Sequence, residues 1–473
     1  MNTNRLVFPG FWFDKTPLEE ALKLSRAGVG GFCLYGGNKQ SVLEVTHKLR
    51  AASPLSRLLI AADYEDGLGR WLPDTPLLPS NLALGAANSE KLAFEKGYLT
   101  ASQARTLGVD WVFAPVLDLA DNSENPIINT RSFGANPTRV TTLARAFMKG
   151  LSQGGVLNSL KHFPGHGNTV QDSHLELPVV PSDRDKIKNA LAPFNALLNE
   201  ADSIMIGHLL IPYLDDKNPA SLSPRIIKDL LQKTMGFHKC VCTDALLMKA
   251  LGDEKQAALK AFNAGAHILL VPEKPFELME FLQQASLDDA HLKQTERVLN
   301  GLCAKAEELS ATAQHLPIVL EDYMHNVAQK GIVLQGKIPA LYAGDTIHYL
   351  PIGNDEKISM TPFLDTLHAH GLHTHLYNAE TEKIDTLVVL FWRRYQAFKG
   401  KISLTQEEVA LVQQAQARAR HTVMVCLSNP WTSHALQAEG SIFTFSPAPA
   451  FQQAAAECIL GKFKPTGKLP ITL

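Results

Sequence analysis

The chain has 473 residues, which leads us to expect two domains, one of which has the size of a barrel of about 250 to 300 residues. Its composition, 45% hydrophobic and 19% charged, is typical of a globular protein. A net charge of −2 with scattered basic residues argues against a protein that binds nucleic acid or an anionic membrane.

The first residues, the apolar runs and the cysteines of the sequence suggest a cellular compartment. The start, "MNTNRLVFPGFWF", has no basic segment followed by an apolar core, so we expect no signal peptide. No apolar run approaches about 18 residues, so we expect no membrane span. The six cysteines lie mostly inside apolar runs, which favours buried, reduced thiols and a cytoplasmic location.

Eight short apolar runs recur through the first three hundred residues. Several show little alternation, which is typical of parallel strands buried on both faces. The runs are "LVFPGFW", "GGFCLYG", "LLIAADY", "WVFAPVLDL", "VLNSLKHF", "IMIGHLLI", "CVCTDALL" and "HILLVP". Segments with helical spacing lie between them, at 18–27, 90–107, 138–153, 185–199 and 254–264. Eight strands, each followed by a helix, predict an α/β fold of the (β/α)8 TIM-barrel type, with a doubly wound open sheet as the alternative.

A helical segment at about residues 287–309 leads into a second αβ pattern. Its predicted strands are "GIVLQ", "HYLPIG", "THLYN", "DTLVVLFW", "TVMVCLS" and "SIFTFS". Thr405 and Glu408 form a capping-box pattern that predicts a helix start. We therefore predict a barrel domain at 1–315 and a three-layer α/β/α sandwich domain at 316–473.

Polar residues stand near the ends of several predicted barrel strands, where the active sites of this fold lie. They are Asp63 and Glu65, Asp118, Lys161 and His162, His208 and Asp244. A carboxylate between "CVCT" and "ALLM" is costly to bury without a partner or a task, so Asp244 is a functional candidate. Glu65, Asp118 and His208 fit structural roles equally well, as a loop brace, a cap and a core histidine.

The stretch "LKHFPGHGNTVQDSH" carries three histidines on a glycine-rich loop. Metal binding, proton transfer and anion binding are all compatible with that composition. Pro164, Gly165 and Gly167 argue against the helix on which a zinc His-x-x-x-His motif depends. Asp172 and His174 are two residues apart, and a turn there lets the carboxylate fix the imidazole tautomer, which favours proton transfer.

The segment "KHFPGHGNTVQDSH" resembles the signature of family 3 glycoside hydrolases, in the β-N-acetylglucosaminidase branch. The resemblance continues, in the family's order, through "ADYEDGLGRW", "NPIINTRSFGANP", "GFHKCVCTDALLMKAL" and "AGAHILLVP". The ending "ILGKFKPTGKLPITL" is similar to the close of the second domain in two-domain members. The resemblance therefore covers nearly the whole chain.

Roles follow from the resemblance by position. It implies that Asp244 is the nucleophile and that His174, helped by Asp172, is the general acid/base. Six further positions match residues that bind the sugar, the last two less directly: Asp63, Arg131, Lys161, His162, Arg70 and His208. The chain departs from the family pattern where Asp66 replaces a glycine, Ala245 a second aspartate and His267 an aspartate.

The resemblance implies a retaining β-N-acetylglucosaminidase that hydrolyses terminal β-linked N-acetylglucosamine from muropeptide or chitin fragments. It implies an oligosaccharide substrate, no metal or organic cofactor, and no nucleic-acid or membrane partner. A β-N-acetylglucosaminide phosphorylase or a β-glucosidase on the same scaffold is the alternative. A non-catalytic sugar-binding protein is a third possibility, against which the joint presence of Asp244, Asp172 and His174 argues.

Overall fold

Parallel strands close into a barrel in the first part of the chain. A computed structural model describes the chain at residues 2–171, 176–353, 355, 358–393, 404–433 and 436–473. The barrel strands are β1 (Val7–Phe8), β2 (Gly10–Trp12), β3 (Gly31–Tyr35), β4 (Leu59–Ala62), β5 (Trp111–Val112), β6 (Leu160–Phe163), β7 (Ser203–Ile206), β8 (Cys240–Thr243) and β9 (Leu269–Leu270). Each of the eight predicted apolar runs contains a strand.

The strand order makes the ring continuous. β2 to β5 form one parallel sheet, β6 to β8 form another, and β1 pairs with β9. Bridges from Trp111 to Leu157 and from Cys242 to Ile268 join these sheets. Because β1 and β2 are separated by one residue, they act together as the first of eight strands. The arrangement confirms the predicted TIM-barrel fold and not the open sheet.

Helices cover the outside of the barrel. They are α1 (Leu18–Arg26), α2 (Lys39–Ala52), α3 (Asn81–Ala87), α4 (Glu90–Thr106), α5 (Pro137–Gly154), α6 (Arg184–Leu197), a π-helix (Arg225–Thr234), α7 (Glu254–Ala264), α8 (Pro275–Gln284) and α9 (Asp289–Ala311). Local sequence explains their ends: at α5 the Asn136 side chain accepts from Arg139 N, and Gly155 stops the helix with a φ of +94°.

Apolar side chains fill the barrel interior. Trp111 is fully buried there and makes edge-to-face contacts with Phe8 and Phe113. Cys240 and Cys242 belong to the same interior cluster, since residues two apart on a strand share a face. All six cysteines are free thiols, and five are buried. Because the interior is packed, polar chemistry is confined to the barrel ends.

The second part of the chain is built on one six-stranded sheet. Its strands, in the order β10-β15-β14-β13-β11-β12, are β10 (Val333–Gly336), β11 (Thr346–Gly353), β12 (His373–Leu376), β13 (Ile384–Trp392), β14 (Ala419–Cys426) and β15 (Gly440–Phe443). Only the β10–β15 pair is antiparallel. The associated helices are α10 (Leu320–Gly331), α11 (Thr361–Ala369), α12 (Gln406–Gln416) and α13 (Pro449–Ile459).

Two sequence predictions concern this second part. Thr405 and Glu408 do form the expected capping box at the start of α12. The division at residues 315 and 316 stays a prediction; it falls between the end of α9 and the start of α10. Within the described part of the chain, no helix combines the length and apolar character needed to cross a membrane.

Candidate active site

The carboxyl ends of the parallel strands bring the predicted polar residues to one end of the barrel. Asp63 and Glu65 follow β4, and Lys161 and His162 lie on β6. Asp244 follows β8 directly, and its backbone N donates to Ile206 O at the end of β7 over 2.9 Å. Residues from distant parts of the sequence are thereby placed around one mouth.

A charged cluster forms the floor of this mouth. Lys161 Nζ lies 2.6 Å from Asp63 Oδ1 and 2.5 Å from Glu65 Oε1. Arg131 Nε and Nη2 donate to the two oxygens of Glu65 over 2.9 and 2.8 Å, in a bidentate pair. Lys161 and Glu65 are buried, with 1% and 3% of their surface exposed. The positions of these charged groups are therefore set by their partners.

The electrostatics of the cluster agree with its geometry. Burial disfavours the ionised form of Glu65, but Arg131 and Lys161 outweigh it and hold the pKa of the carboxyl well below its usual range. Arg70, at the end of a short 3-10 helix (Leu68–Arg70), acts in the same direction. Burial also disfavours the ammonium of Lys161, but Asp63 and Glu65 raise its pKa. The sequence left Glu65 open between a functional role and a loop brace, and the structure places it at the centre of the cluster.

Asp118 orients His162. Asp118 is 1% exposed, and its Oδ2 lies 2.7 Å from His162 Nδ1. The same carboxylate accepts from the backbone N of His162 over 3.2 Å and from that of His166 over 2.6 Å. With Nδ1 donating to Asp118, Nε2 is left as the acceptor that faces Arg131 Nη2 at 3.3 Å. Burial opposes ionisation of Asp118, but His162 and His166 lower its pKa. Asp118 thus positions a predicted sugar ligand.

His166 is a neutral histidine inside the loop. It is 2% exposed, and its Nδ1 lies within hydrogen-bond distance of Thr169 Oγ1, at 2.9 Å. Burial and the neighbouring His162 lower its pKa to about 4, although Asp118 and Asp244 oppose them. Its ring meets that of His162 edge to face, at a centroid distance of 5.9 Å. A buried, neutral histidine with contacts inside the loop suits a residue that holds the shape of the loop.

His208 uses both ring nitrogens within the protein. The residue is fully buried, with Nδ1 2.8 Å from Ser221 Oγ and Nε2 3.2 Å from Ala245 O. Burial lowers its pKa, so the ring is neutral and donates from Nε2 to the carbonyl. Since that carbonyl belongs to the residue after Asp244, the geometry favours a positioning role for His208 over direct contact with a sugar.

Asp244 is a half-buried carboxylate with one oxygen anchored. Its Oδ1 accepts from the backbone N of Ala245 over 2.8 Å. The charge of Asp244 counters the lowering of the His166 and His208 pKa values, which places all three close together. The partner residues in the sequence prediction, Asp172 and His174, lie outside the described residues.

A buried pair beside the mouth was absent from the sequence prediction. Lys96 on α4 is fully buried, and its Nζ donates to Asp66 Oδ1 over 3.0 Å and to Asn81 Oδ1 over 2.6 Å. Burial lowers the pKa of Lys96, and Asp66 opposes the shift. Asn81 also donates to Arg131 O over 2.7 Å. The sequence does contain an indication that Lys96 is buried, because Lys96 is four residues from buried Leu92 and falls on the apolar face of its helix.

Among the residues that the structure describes, no group of three or more His, Cys, Asp or Glu side chains is placed to hold a metal ion. The imidazoles of His162 and His166 are instead occupied by Asp118 and Thr169.

Comparisons with known proteins agree with this arrangement. A β-hexosaminidase of Neisseria meningitidis serogroup C is 35% identical over 282 residues, which are 56% of this chain and 77% of that protein. β-Hexosaminidase A of Pseudoalteromonas piscicida is 34% identical over 285 residues, and the match spans 48% of its length.

Solved structures share the whole architecture. A family 3 β-N-acetylglucosaminidase from a Paenibacillus species, 24% identical, superimposes over 99% of this chain and 98% of its own with a TM-score of 0.85. A β-glucoside phosphorylase, 22% identical, superimposes over 99% and 92% with a TM-score of 0.87. At these identities the two structures show the fold alone. The model of the glycosyl hydrolase family 3 N-terminal domain matches residues 4–300, more than half of the sequence, and the chain therefore belongs to glycosyl hydrolase family 3.

Proposed function

We propose that this chain is a retaining β-N-acetylglucosaminidase that releases terminal β-linked N-acetylglucosamine from oligosaccharides. The observation that carries the proposal is the position of Asp244, a half-buried carboxylate at the end of β8, facing the same mouth as the cluster of Asp63, Lys161 and Arg131. Membership of family 3 and the relatives named β-hexosaminidase support it.

Asp244 is the proposed nucleophile. Its carboxylate attacks the anomeric carbon, the bond to the leaving oxygen breaks, and a glycosyl-enzyme ester forms. The backbone N–H of Ala245 holds one oxygen of the carboxylate, which fixes the orientation of the attack.

His174 is the proposed acid/base, oriented by Asp172, and both roles rest on the sequence motif. In the first step the imidazolium protonates the leaving oxygen. In the second step the neutral imidazole takes a proton from water, which attacks the ester and releases the sugar with net retention. An unperturbed histidine pKa near 6.5 suits both directions of transfer.

The charged cluster is the proposed binding site for the sugar hydroxyls. Asp63 offers acceptor oxygens, Lys161 and Arg131 offer donors, and His162 presents the Nε2 side that Asp118 leaves facing the mouth. Since these groups are held by one another before substrate arrives, little ordering is required on binding.

The finer assignment concerns the natural substrate and its location. We propose muropeptide or chitin fragments as the source of the sugar and the cytoplasm as the compartment. The six free cysteines support a reducing compartment. The mechanism derived from these residues has no step that needs a metal or organic cofactor.

A panel of aryl β-glycosides, assayed with and without inorganic phosphate, tests the proposal. We expect free N-acetylglucosamine as the product in both conditions, and little turnover of the glucoside. A 2-fluoro substrate analogue should add one sugar mass to the intact protein, and Asp244→Ala should abolish the adduct and lower kcat by roughly 10³-fold or more. Sugar 1-phosphate as the product would instead identify a phosphorylase, and absence of any turnover would favour a sugar-binding protein.

A further inference from the structure

A cavity lies next to the charged cluster, between the barrel and the six-stranded sheet. It encloses about 70 Å³, well above the roughly 15 Å³ that one water molecule needs. From the barrel side it is lined by Arg70, Asn129 and Arg131, and from the sheet side by Trp392, Arg393 and Ser428. Because Arg131 also contacts Glu65 and His162, the cavity adjoins the proposed sugar site.

The cavity lining is rich in donors. Asn129 is 4% exposed, and its Nδ2 has no hydrogen-bond partner among the described residues, while its Oδ1 accepts from Thr130 N over 2.9 Å. Arg393 Nε is likewise buried without a partner, although Nη2 of that residue pairs with Glu408. Two buried, unpartnered N–H groups on opposite walls are costly unless an acceptor enters the space between them.

Charged side chains also line the cavity. Among the described residues that line the cavity, three are arginines, Arg70, Arg131 and Arg393, and one is a carboxylate, Asp66. Asp66 is itself paired with the buried ammonium of Lys96 at 3.0 Å. Because Arg131 pairs with Glu65 and Arg393 with Glu408, the donor groups of the lining, more than its net charge, match a small group with several acceptor oxygens.

We propose that this cavity binds an oxyanion group, such as a sulfate, phosphate or carboxylate. Asp244 is not among the residues that line the cavity, and the Arg131–Glu65 pair belongs to the cluster that would bind the hydroxyls. On the proposed function, the cavity thus adjoins the residues that would bind the sugar hydroxyls and not the nucleophile. The oxyanion is either a substituent on the non-reducing sugar or a free anion; the first source rests on the proposed function, and the second does not.

Asn129→Asp is the variant that tests the cavity as the binding site. It replaces the unpartnered amide by a carboxylate of the same shape, and aspartate tolerates the left-handed backbone at this position, where φ is +49°. Asn88→Asp is the matched control, since Asn88 also has a left-handed φ of +47° but is an exposed cap of α3, away from the cavity. Arg393→Gln tests the opposite wall of the cavity. It replaces Asn129→Asp as the test variant if Asn129→Asp unfolds at a lower temperature than wild type.

Two measurements on the full chain decide the matter. Calorimetric titration with sodium sulfate reports a free anion; we expect Asn129→Asp and Arg393→Gln to weaken binding by about 10-fold or more, and Asn88→Asp to leave it unchanged. The ratio of kcat/KM for O-sulfated over unsubstituted aryl N-acetylglucosaminides reports a substituent; we expect the same fall of about 10-fold or more in that ratio.

Each pattern of results has a defined meaning. Sulfate binding that the cavity variants weaken supports the site even if the chain hydrolyses nothing, so failure of the proposed function remains distinguishable. A changed substrate ratio without sulfate binding supports the substituent as the source. If unsubstituted glycosides are hydrolysed and neither measurement distinguishes Asn129→Asp and Arg393→Gln from wild type, the inference is overturned.

Discussion

Asp118 fixes the imidazole tautomer that His162 offers to a ligand. The pair lies 2.7 Å apart in a region from which water is excluded, since both side chains are nearly fully buried. Asp118→Asn preserves the shape but removes the charge, so the imidazole loses its fixed tautomer. A hydrogen bond to a charged group contributes about 1.5–3 kcal/mol, and we expect kcat/KM to fall about 10- to 100-fold.

The control for that substitution is Asp216→Asn, at an exposed aspartate outside the mouth. It should leave kcat/KM within twofold of wild type. Nitrogen NMR of the histidine rings would report the tautomer directly. An unchanged His162 tautomer together with unchanged kcat/KM in Asp118→Asn would contradict the orienting role.

The roles of the loop histidines are separated by their dependence on the leaving group. If His174 is the acid/base, His174→Ala should slow cleavage of a natural disaccharide far more than cleavage of an aryl glycoside with an acidic phenol. General acid/base assistance is worth about 10²- to 10⁴-fold, which sets the expected gap. Azide should restore turnover at the second step, because it attacks without losing a proton.

His166→Ala provides the comparison within the same loop. His166 is buried and neutral and bonds to Thr169, so its loss should slow both substrate types alike. Rate constants for the two substrates in each variant are the required measurement. A strong leaving-group dependence in His166→Ala, with none in His174→Ala, would exchange the two assignments.

At the scale of the element, the glycine-rich loop after β6 is held against the run that follows β5. A Cβ on Gly167 would lie 2.0 Å from Leu119 O, a backbone atom that cannot move without displacing the run after β5. Gly167→Ala should therefore shift the segment that leads to Asp172 and His174. We expect kcat to fall at least about tenfold, since misplacement of a catalytic group by about 1 Å costs up to 10²-fold.

Gly301→Ala is the matched control for Gly167→Ala. Gly301 lies inside α9, and a Cβ there meets nothing within 4 Å. The substitution should keep kcat and raise the free energy of unfolding by up to about 1 kcal/mol, because alanine favours a helix over glycine. Equal activity in the two variants would show that the loop tolerates displacement.

At the scale of the whole molecule, buried neutral histidines predict sensitivity to acid. Burial and His291 lower the pKa of His267 from 6.5 to about 3, and His166 titrates at about 4. In the unfolded chain these rings take up protons near pH 6.5, so the unfolded state binds more protons below that pH. Their contribution to stability is complete above about pH 6.5 and is lost as pH falls towards 4 and then 3.

A substitution can show whether His267 causes the loss of stability at acidic pH. His267 Nδ1 accepts from Val241 N over 3.0 Å, and the amide oxygen of His267→Gln offers an acceptor that does not titrate. We expect the free energy of unfolding of this variant to fall less between pH 6.5 and 4, by about 2 kcal/mol, than that of wild type. Denaturant titrations at several pH values measure it. The same slope in both proteins would mean that His267 does not carry the effect.

The amino-acid sequence by itself determined the barrel fold and the end of the barrel at which several polar residues lie. Unbroken apolar runs in "LLIAADY" or "CVCTDALL" suit strands covered on both faces, and each contains a barrel strand in the structure. Polar residues directly after such runs must lie at the carboxyl end of the barrel, which is why Asp63 and Asp244 were predicted to share a mouth. Local pattern is sufficient for both inferences because strand direction is set within a few residues.

Only the tertiary structure decided which groups pair with which. Asp118 meets His162 across 44 residues of sequence, and Arg131 meets Glu65 across 66. The ammonium of Lys96 pairs with Asp66, which belongs to another element. Asn129 from the barrel and Arg393 from the part of the chain with the six-stranded sheet line the same cavity. These contacts require distances of a few ångströms between elements that are far apart in the sequence. No repeating pattern of residues links one element of each pair to the other. Coulomb and hydrogen-bond energies fall steeply over such distances, so the closed barrel and the docked sheet had to be in place before the partners could be identified.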